Sequence, residues 1–207
     1  MAWTSRGLVA GAALALAGAA NATVMLDFEG VGNYAAIGNF YAGQGVTFGP
    51  NALGLVDADA GGSGNFANEP SGDTIMFFTA GSAVLNYAAG FNTGFSFYYT
   101  SSTAATVKVY DGLNGTGNLL ATLNLSANYQ NGGCSGDPGG GFCHFDAVGA
   151  AFAGIARSVD FGGVANQVGF DNVTFGSVVP GVPEPETYAL MLAGLGLLLS
   201  QRRRGTA

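Results

Sequence analysis

The sequence predicts an all-β domain, a two-sheet β-sandwich or jelly roll, held between two processing segments. Three observations carry this reading. Short runs rich in β-branched and aromatic residues recur through residues 23–177. Gly, Asn, Ser and Asp separate them at nearly every junction. No stretch before the C-terminal tail repeats its apolar residues with the 3.6-residue period of an amphipathic helix. Aromatic residues make up 12% of the chain, enough to bury a core, although charged residues supply only 9%.

Residues 1–22 read MAWTSRGLVAGAALALAGAANA. One cation, Arg6, precedes an apolar run from Leu8 to Ala20, and Ala20-Asn21-Ala22 forms a small-x-small step. That order is a secretory signal helix, with signal peptidase expected to cut after Ala22. Export in turn places the rest of the chain in an oxidising compartment.

The domain, residues 23–177, then unfolds as a series of strand-like segments: VMLDFEG, DTIMFFT, GFSFYYT, ATVKVYD, LLATLNL, IARSVDF and QVGFDNVTFG. In GFSFYYT the two-residue period puts Phe95, Phe97 and Tyr99 on one face and Ser96 and Tyr98 on the other. Between ATVKVYD and LLATLNL, the Asn114-Gly115 pair in DGLNGTGN predicts a hairpin. About eight short strands of this kind make a two-sheet sandwich.

Residues 178–186, VVPGVPEPE, form a linker containing a Pro-Glu-Pro step. Residues 187–207 close the chain as a short hydrophobic helix ending at Arg202, Arg203 and Arg204. The apolar run from Tyr188 to Leu199 would be roughly 18 Å long as a helix, short of the approximately 30 Å hydrocarbon core of a bilayer. Only a strained or transient membrane anchor fits that length, with the arginines on the cytoplasmic side and the Pro-Glu-Pro step facing outward.

Charge narrows the partners. From Asp27 to Asp171, eleven carboxylates face only Lys108 and Arg157. A surface so acidic repels nucleic acid and anionic lipid, and favours divalent cations or neutral polymers.

Pro183-Glu184-Pro185, the apolar run and Arg202 to Arg204, in that order, resemble the PEP-CTERM sorting signal of Gram-negative bacteria. The resemblance implies that a membrane-embedded exosortase recognises the tail and cleaves near the Pro-Glu-Pro step. The prolines suit such a junction, because they stop a helix from extending into it and keep it extended. Leu26-Asp27-Phe28-Glu29 and Gly169-Phe170-Asp171-Asn172-Val173 also resemble the terminal strands of the jelly-roll, carbohydrate-binding-like modules common among PEP-CTERM proteins. That resemblance implies a structural calcium ion where the first and last strands run side by side, with Asp27, Glu29 and Asp171 as ligands. Strand periodicity agrees in placing Asp27 and Glu29 on one face, opposite Leu26 and Phe28. The alternative is that Asp27 and Glu29 face water on an edge strand while Asp171 caps a turn.

Other constellations are weaker. DADAGGSGNFANE, residues 57–69, puts Asp57, Asp59 and Gly62 at positions 1, 3 and 6 of an EF-hand loop, but its twelfth position is Asn68 and no helices flank it. An acidic loop is the better reading. Cys134 and Cys143 bracket SGDPGGGF, and in an exported chain they most simply form a disulfide across a Gly-rich loop. A zinc site with His144 lacks ligands, and a Cys–His nucleophile fails because strand neighbours point to opposite faces. No catalytic residues are assigned: His144 is the one histidine and no Gly-x-Ser-x-Gly elbow accompanies it. Tyr34, Tyr41, Tyr87, Tyr98, Tyr110 and Tyr129 are candidate stacking platforms for sugar rings, with core packing and sheet margins as the competing reading.

The sequence therefore leads to an exported, non-enzymatic protein of the cell envelope or exterior. The PEP-CTERM resemblance implies a structural or adhesive role in exopolysaccharide or biofilm matrix. A lectin-like polysaccharide-binding module is the alternative, and a glycoside hydrolase the third reading.

Overall fold

The computed structural model describes residues 24–134 and 140–181. The expected signal helix, the Pro183–Pro185 step, the C-terminal helix and Arg202 to Arg204 lie outside the described residues.

The described residues form eleven strands: β1 (Val24–Leu26), β2 (Val46–Phe48), β3 (Leu53–Val56), β4 (Thr74–Phe77), β5 (Ala83–Phe91), β6 (Gly94–Ser101), β7 (Ala105–Tyr110), β8 (Leu119–Leu125), β9 (Asp146–Ala151), β10 (Ala156–Gly162) and β11 (Val168–Phe175). The only helical turn among the described residues is a 3₁₀ turn at Ala42–Gln44. One sheet runs β3-β4-β11-β6-β9, with β1 also paired to β11; the other runs β2-β5-β10-β7-β8. Every strand pair is antiparallel. The expected all-β, two-sheet architecture is what the chain adopts.

Period-2 burial explains the layering. Phe95 and Phe97 of β6, Phe161 of β10 and Phe170 of β11 are fully buried between the sheets. Their rings meet edge-on, Phe97–Phe161 at 5.8 Å, Phe97–Phe170 at 5.5 Å and Phe161–Phe170 at 4.9 Å between centroids. The hairpin at DGLNGTGN joins β7 to β8, and both Asn114 (φ 58°) and Gly115 (φ 67°) take the left-handed conformation that such a turn requires.

A second apolar cluster of Leu55, Phe66, Ile75 and Phe77 sits on the opposite face of the β3–β4 sheet, because Ile75 and Phe77 alternate with the inward-facing Met76. Phe142, at the end of the cysteine loop, and Phe145, just after it, pack against this cluster.

Val24 pairs with Phe175, so the domain begins and ends at one pole of the sandwich. After Phe175 the chain turns at Gly176 (φ 80°), and residues 177–181 fold back across the outer face of the same sheet.

Candidate functional site

The first site grows from a gap in the sheet. Along one edge of β11, β4 pairs with Gly169 and Phe170, and β1 pairs with Val173, Thr174 and Phe175. Asp171 and Asn172 fall in the seam between those two partners. On the other edge, the register with β6 slips by one residue between Asp171 and Thr174, a β-bulge in which Asn172 adopts φ 48°. A side chain therefore does there what a ladder strand does elsewhere. Ser71 N donates to Asp171 Oδ2 at 3.1 Å, and Asn172 N donates to Asp171 Oδ1 at 2.7 Å. Ser71 Oγ lies 3.2 and 3.0 Å from the two carboxylate oxygens, and 2.8 Å from Asn172 Oδ1.

The other two expected acids reach the same seam by a route that strand periodicity did not anticipate. β1 stops at Leu26 because Phe28 adopts φ 60°, so Asp27 and Glu29 do not share a strand face. Phe28 itself still enters the core. Its N–H donates to the buried Tyr41 hydroxyl at 2.6 Å, which also lies 3.4 Å from Asp27 Oδ1. Glu29 Oε1 accepts from Asp73 N and Thr74 N at 3.1 and 2.9 Å, anchoring the loop that leads into β4. The carboxylate rests on Gly72 (φ 48°), where a Cβ would stand 2.2 Å from Glu29 Cδ.

Electrostatics make the seam acidic and uncompensated. Desolvation raises the Asp171 carboxyl well above its ordinary range, and the charge of Glu29 adds to the rise against the hydrogen bonds that oppose it. Desolvation also raises Glu29, with Asp27 and Asp73 repelling its charged form. Nearby in the 57–69 loop, burial pushes Glu69 up to about 7, helped by Asp57, Asp73 and Asp59. Glu29 thus feels the charge of Asp27, and Asp171 that of Glu29. Among the described residues, however, no three His, Cys, Asp or Glu side chains are grouped as a ready metal-ligand set.

The second site is a cleft of about 140 Å³ on the outer face of the β3–β4 sheet. Leu55, Phe66, Ile75, Phe77 and Phe142 give it apolar walls. Asn65, Asn166 and Gln167 supply amides at the same cleft, and among the described residues no charged side chain lines it. Thr100 also lines it; it is 1% exposed and its Oγ1 has no hydrogen-bond partner among the described residues. Asn166 takes φ 60°, a sparsely populated conformation for a residue other than Gly. Beside the cleft, Tyr34 is half exposed and stands edge-on to Phe77 at 5.5 Å.

The cysteine loop builds one wall of this cleft. Cys134 and Cys143 are joined with a Cα–Cα distance of 5.0 Å. The C-terminal end of this loop is stitched to the acidic loop: Gly141 N and Phe142 N donate to Asn65 O at 2.6 and 3.0 Å, and Ala67 N donates to Phe142 O at 3.0 Å. Cys143 N in turn donates to Tyr129 O at 2.7 Å. His144 Nε2 pairs with Asp146 Oδ1 at 3.0 Å. Sequence reasoning missed Ser71, Thr100 and the amides altogether, since nothing local marks residues that act from across the fold. Of the six tyrosines, Tyr41 is a core residue, whereas Tyr34 presents its ring to solvent.

The stretch beyond the folded-back strap decides what kind of chain this is. Residues 181–204 match the model of the PEP-CTERM protein-sorting motif. The chain carries a PEP-CTERM sorting signal. It is accordingly an exported protein sorted to the cell envelope, and the motif implies processing by exosortase. Among the described residues no helix is long and apolar enough to cross a membrane.

No curated protein matches the chain. Similar solved structures include the K2 cleaved adhesin domain of Lys-gingipain, at 13% identity and a TM-score of 0.47, covering 75% of this chain and 98% of that one. A family 6 carbohydrate-binding module is similar at 14% identity and a TM-score of 0.41, covering 74% and 92%. A family 43 arabinoxylan arabinofuranohydrolase from Bacillus subtilis is similar at 19% identity and a TM-score of 0.41, covering 63% of this chain but only 26% of the hydrolase.

Proposed function

We propose that the exported domain is a non-catalytic, lectin-like module that binds a neutral sugar unit of an envelope or matrix polysaccharide. The observation that carries this reading is the cleft of Phe66, Phe77 and Phe142, with the unpartnered Thr100 hydroxyl and the amides of Asn65 and Gln167. A sugar ring has an apolar C–H face and a rim of hydroxyls, and this cleft offers an apolar wall and neutral hydrogen-bonding groups. A buried hydroxyl without a partner gains most from a ligand that supplies one. The net negative charge of the chain disfavours anionic glycans.

The test is a glycan array followed by calorimetry on the exported protein. Saturable binding of a neutral glycan, weakened at least tenfold by Thr100→Val or Phe142→Ala, is expected. Absence of any glycan ligand, or affinity indifferent to both substitutions, overturns the reading. The scaffold role, a structural or adhesive component of exopolysaccharide, is the second reading; the exposed Tyr34, Val178 and Val179 favour it as contact points. It predicts retention on cell-free matrix that does not saturate and does not depend on Thr100.

Calcium at the seam belongs to the same proposal. Asp27, Glu29 and Asp171 supply hard oxygen donors, and the seam has repelling carboxylates that a divalent cation would relieve. The role is structural: the ion would tie the first and last strands together. Because Asp171 already accepts from Ser71 and Asn172, binding would draw on Asp27, Glu29 and backbone carbonyls as well.

A further inference from the structure

The sorting motif begins at Gly181, and the folded sandwich already holds Gly181. Its N–H donates to Thr174 Oγ1 on β11 at 2.9 Å, and its Cα lies so close to Met25 on β1 that a Cβ would stand 2.7 Å from the sulfur. Four residues before it, Ser177 and then Val178 cross β6 and β9. A Cβ on Gly149 would stand 2.1 Å from the Val178 carbonyl oxygen, and one on Gly94 would stand 2.8 Å from Val178 Cγ1. Ser177 Oγ closes the turn of this strap, bonding the N–H and carbonyl of Val179, and Pro180 is buried.

The seat for the strap is built into the sheet. Met25, Thr174, Ser96 and Gly149 are successive cross-strand partners on β1, β11, β6 and β9, so they form one rung across the outer face. Thr174, Ser96 and Gly149 are all small. Ser96 and Thr174 are both fully buried although they point away from the core, because the strap covers them. Large outward residues there would hold the backbone off the sheet.

We propose that residues 177–181 are a latch by which the folded domain grips the leading edge of its own sorting signal and restrains cleavage until the strap lifts. Pro183 is two residues past Gly181, at most about 7 Å of extended chain. A processing enzyme takes its substrate as an extended segment with several residues on each side of the scissile bond. An active site working near the Pro-Glu-Pro step must therefore peel Gly181, and with it Pro180 and Val179, off the sheet. Val178 and Val179 keep their side chains largely in water, so the latch rests on close backbone fit and a single bond to Thr174, which suits local opening without global unfolding. The partner surface is thereby set: the enzyme meets the domain at the Met25–Gly149 rung, beside the pole where both chain ends leave.

The test uses the full chain. Hydrogen exchange, read by mass spectrometry and NMR, should show the Gly181 amide protected at least tenfold over an unstructured peptide, and limited proteolysis should spare residues 177–181. Thr174→Val removes the acceptor with little change of shape, and Gly149→Ala fills the seat. Each should erase the protection at Gly181, admit cuts within 177–181, and raise the rate of tail removal in the exporting cell several-fold. Protection of the Phe97 and Phe161 amides in both variants reports that the sandwich is intact. Unprotected Gly181 in the unaltered chain, which needs no variant to observe, overturns the proposal. So does tail removal that is unchanged or slower in folded variants.

Discussion

Raising the pH from 5 to 8 should destabilise this domain, and the effect should run through Glu69. Its carboxyl is pushed up to about 7 by burial and by Asp57, Asp73 and Asp59, from an ordinary value of 4.5. A carboxyl whose folded value lies above its unfolded one binds a proton more tightly in the folded state. Its stabilising contribution is full below the unfolded value and is lost as pH rises through the folded value. The window therefore opens near 4.5 and closes near 7. At 1.36 kcal/mol per pH unit the ceiling is about 3 kcal/mol, and solvent contact at Glu69 reduces it to about 1 kcal/mol. Asp171 and Glu29, both raised, act with the same sign. Asp111, lowered by its bonds to Asn118, acts with the opposite sign but only at more acidic pH. For a domain of this size the loss amounts to roughly 2–4 °C in melting temperature. Calorimetry with a chelator present, from pH 5 to pH 8, should show that fall, and Glu69→Gln should flatten it. Stability that rises across the window, or a slope unaltered by Glu69→Gln, would refute the reasoning.

Millimolar calcium should raise the melting temperature more at pH 8 than at pH 5, because burial makes Asp171 and Glu29 hold their protons at the lower pH, and Asp171→Asn should abolish the rise; no shift at any pH contradicts the ion. Cys134 and Cys143 should resist alkylation until reduced, and reduction should cost roughly 2–3 kcal/mol on the chain-entropy model and weaken glycan binding by releasing Phe142. Gly72→Ala, which sets a Cβ against Glu29 at φ 48°, should cost about 1–3 kcal/mol by chemical denaturation, whereas Gly61→Ala, with open space around it, should cost less.

The legible part of the fold was the part with strict alternation. Phe95, Phe97 and Tyr99 face the core as the period of GFSFYYT predicts, and the Asn114-Gly115 hairpin lies where its residues require it. β5 (AVLNYAAGF) and β9 (DAVGAA) escaped notice because Ala and Gly have little preference for strands, and their pairing is set by neighbours. β2 and β3 are only three and four residues long, too short to show a period. At the seam, the terminal strands do run side by side, but Phe28 breaks the alternation that was to align Asp27 with Glu29. Ser71 reaches Asp171 across 100 residues of sequence, and no local pattern encodes such a contact. The same holds for Gly149, whose importance appears only once Val178 is seen lying on it.

Export followed by removal of the sorting tail is the claim on which the rest stands, and intact-mass measurement of the protein from the native envelope and medium tests it most directly. The mature chain should begin at Thr23 and end before Arg202, near the Pro183–Pro185 step. A mass that retains Arg202 to Arg204 in protein recovered outside the cell would contradict it.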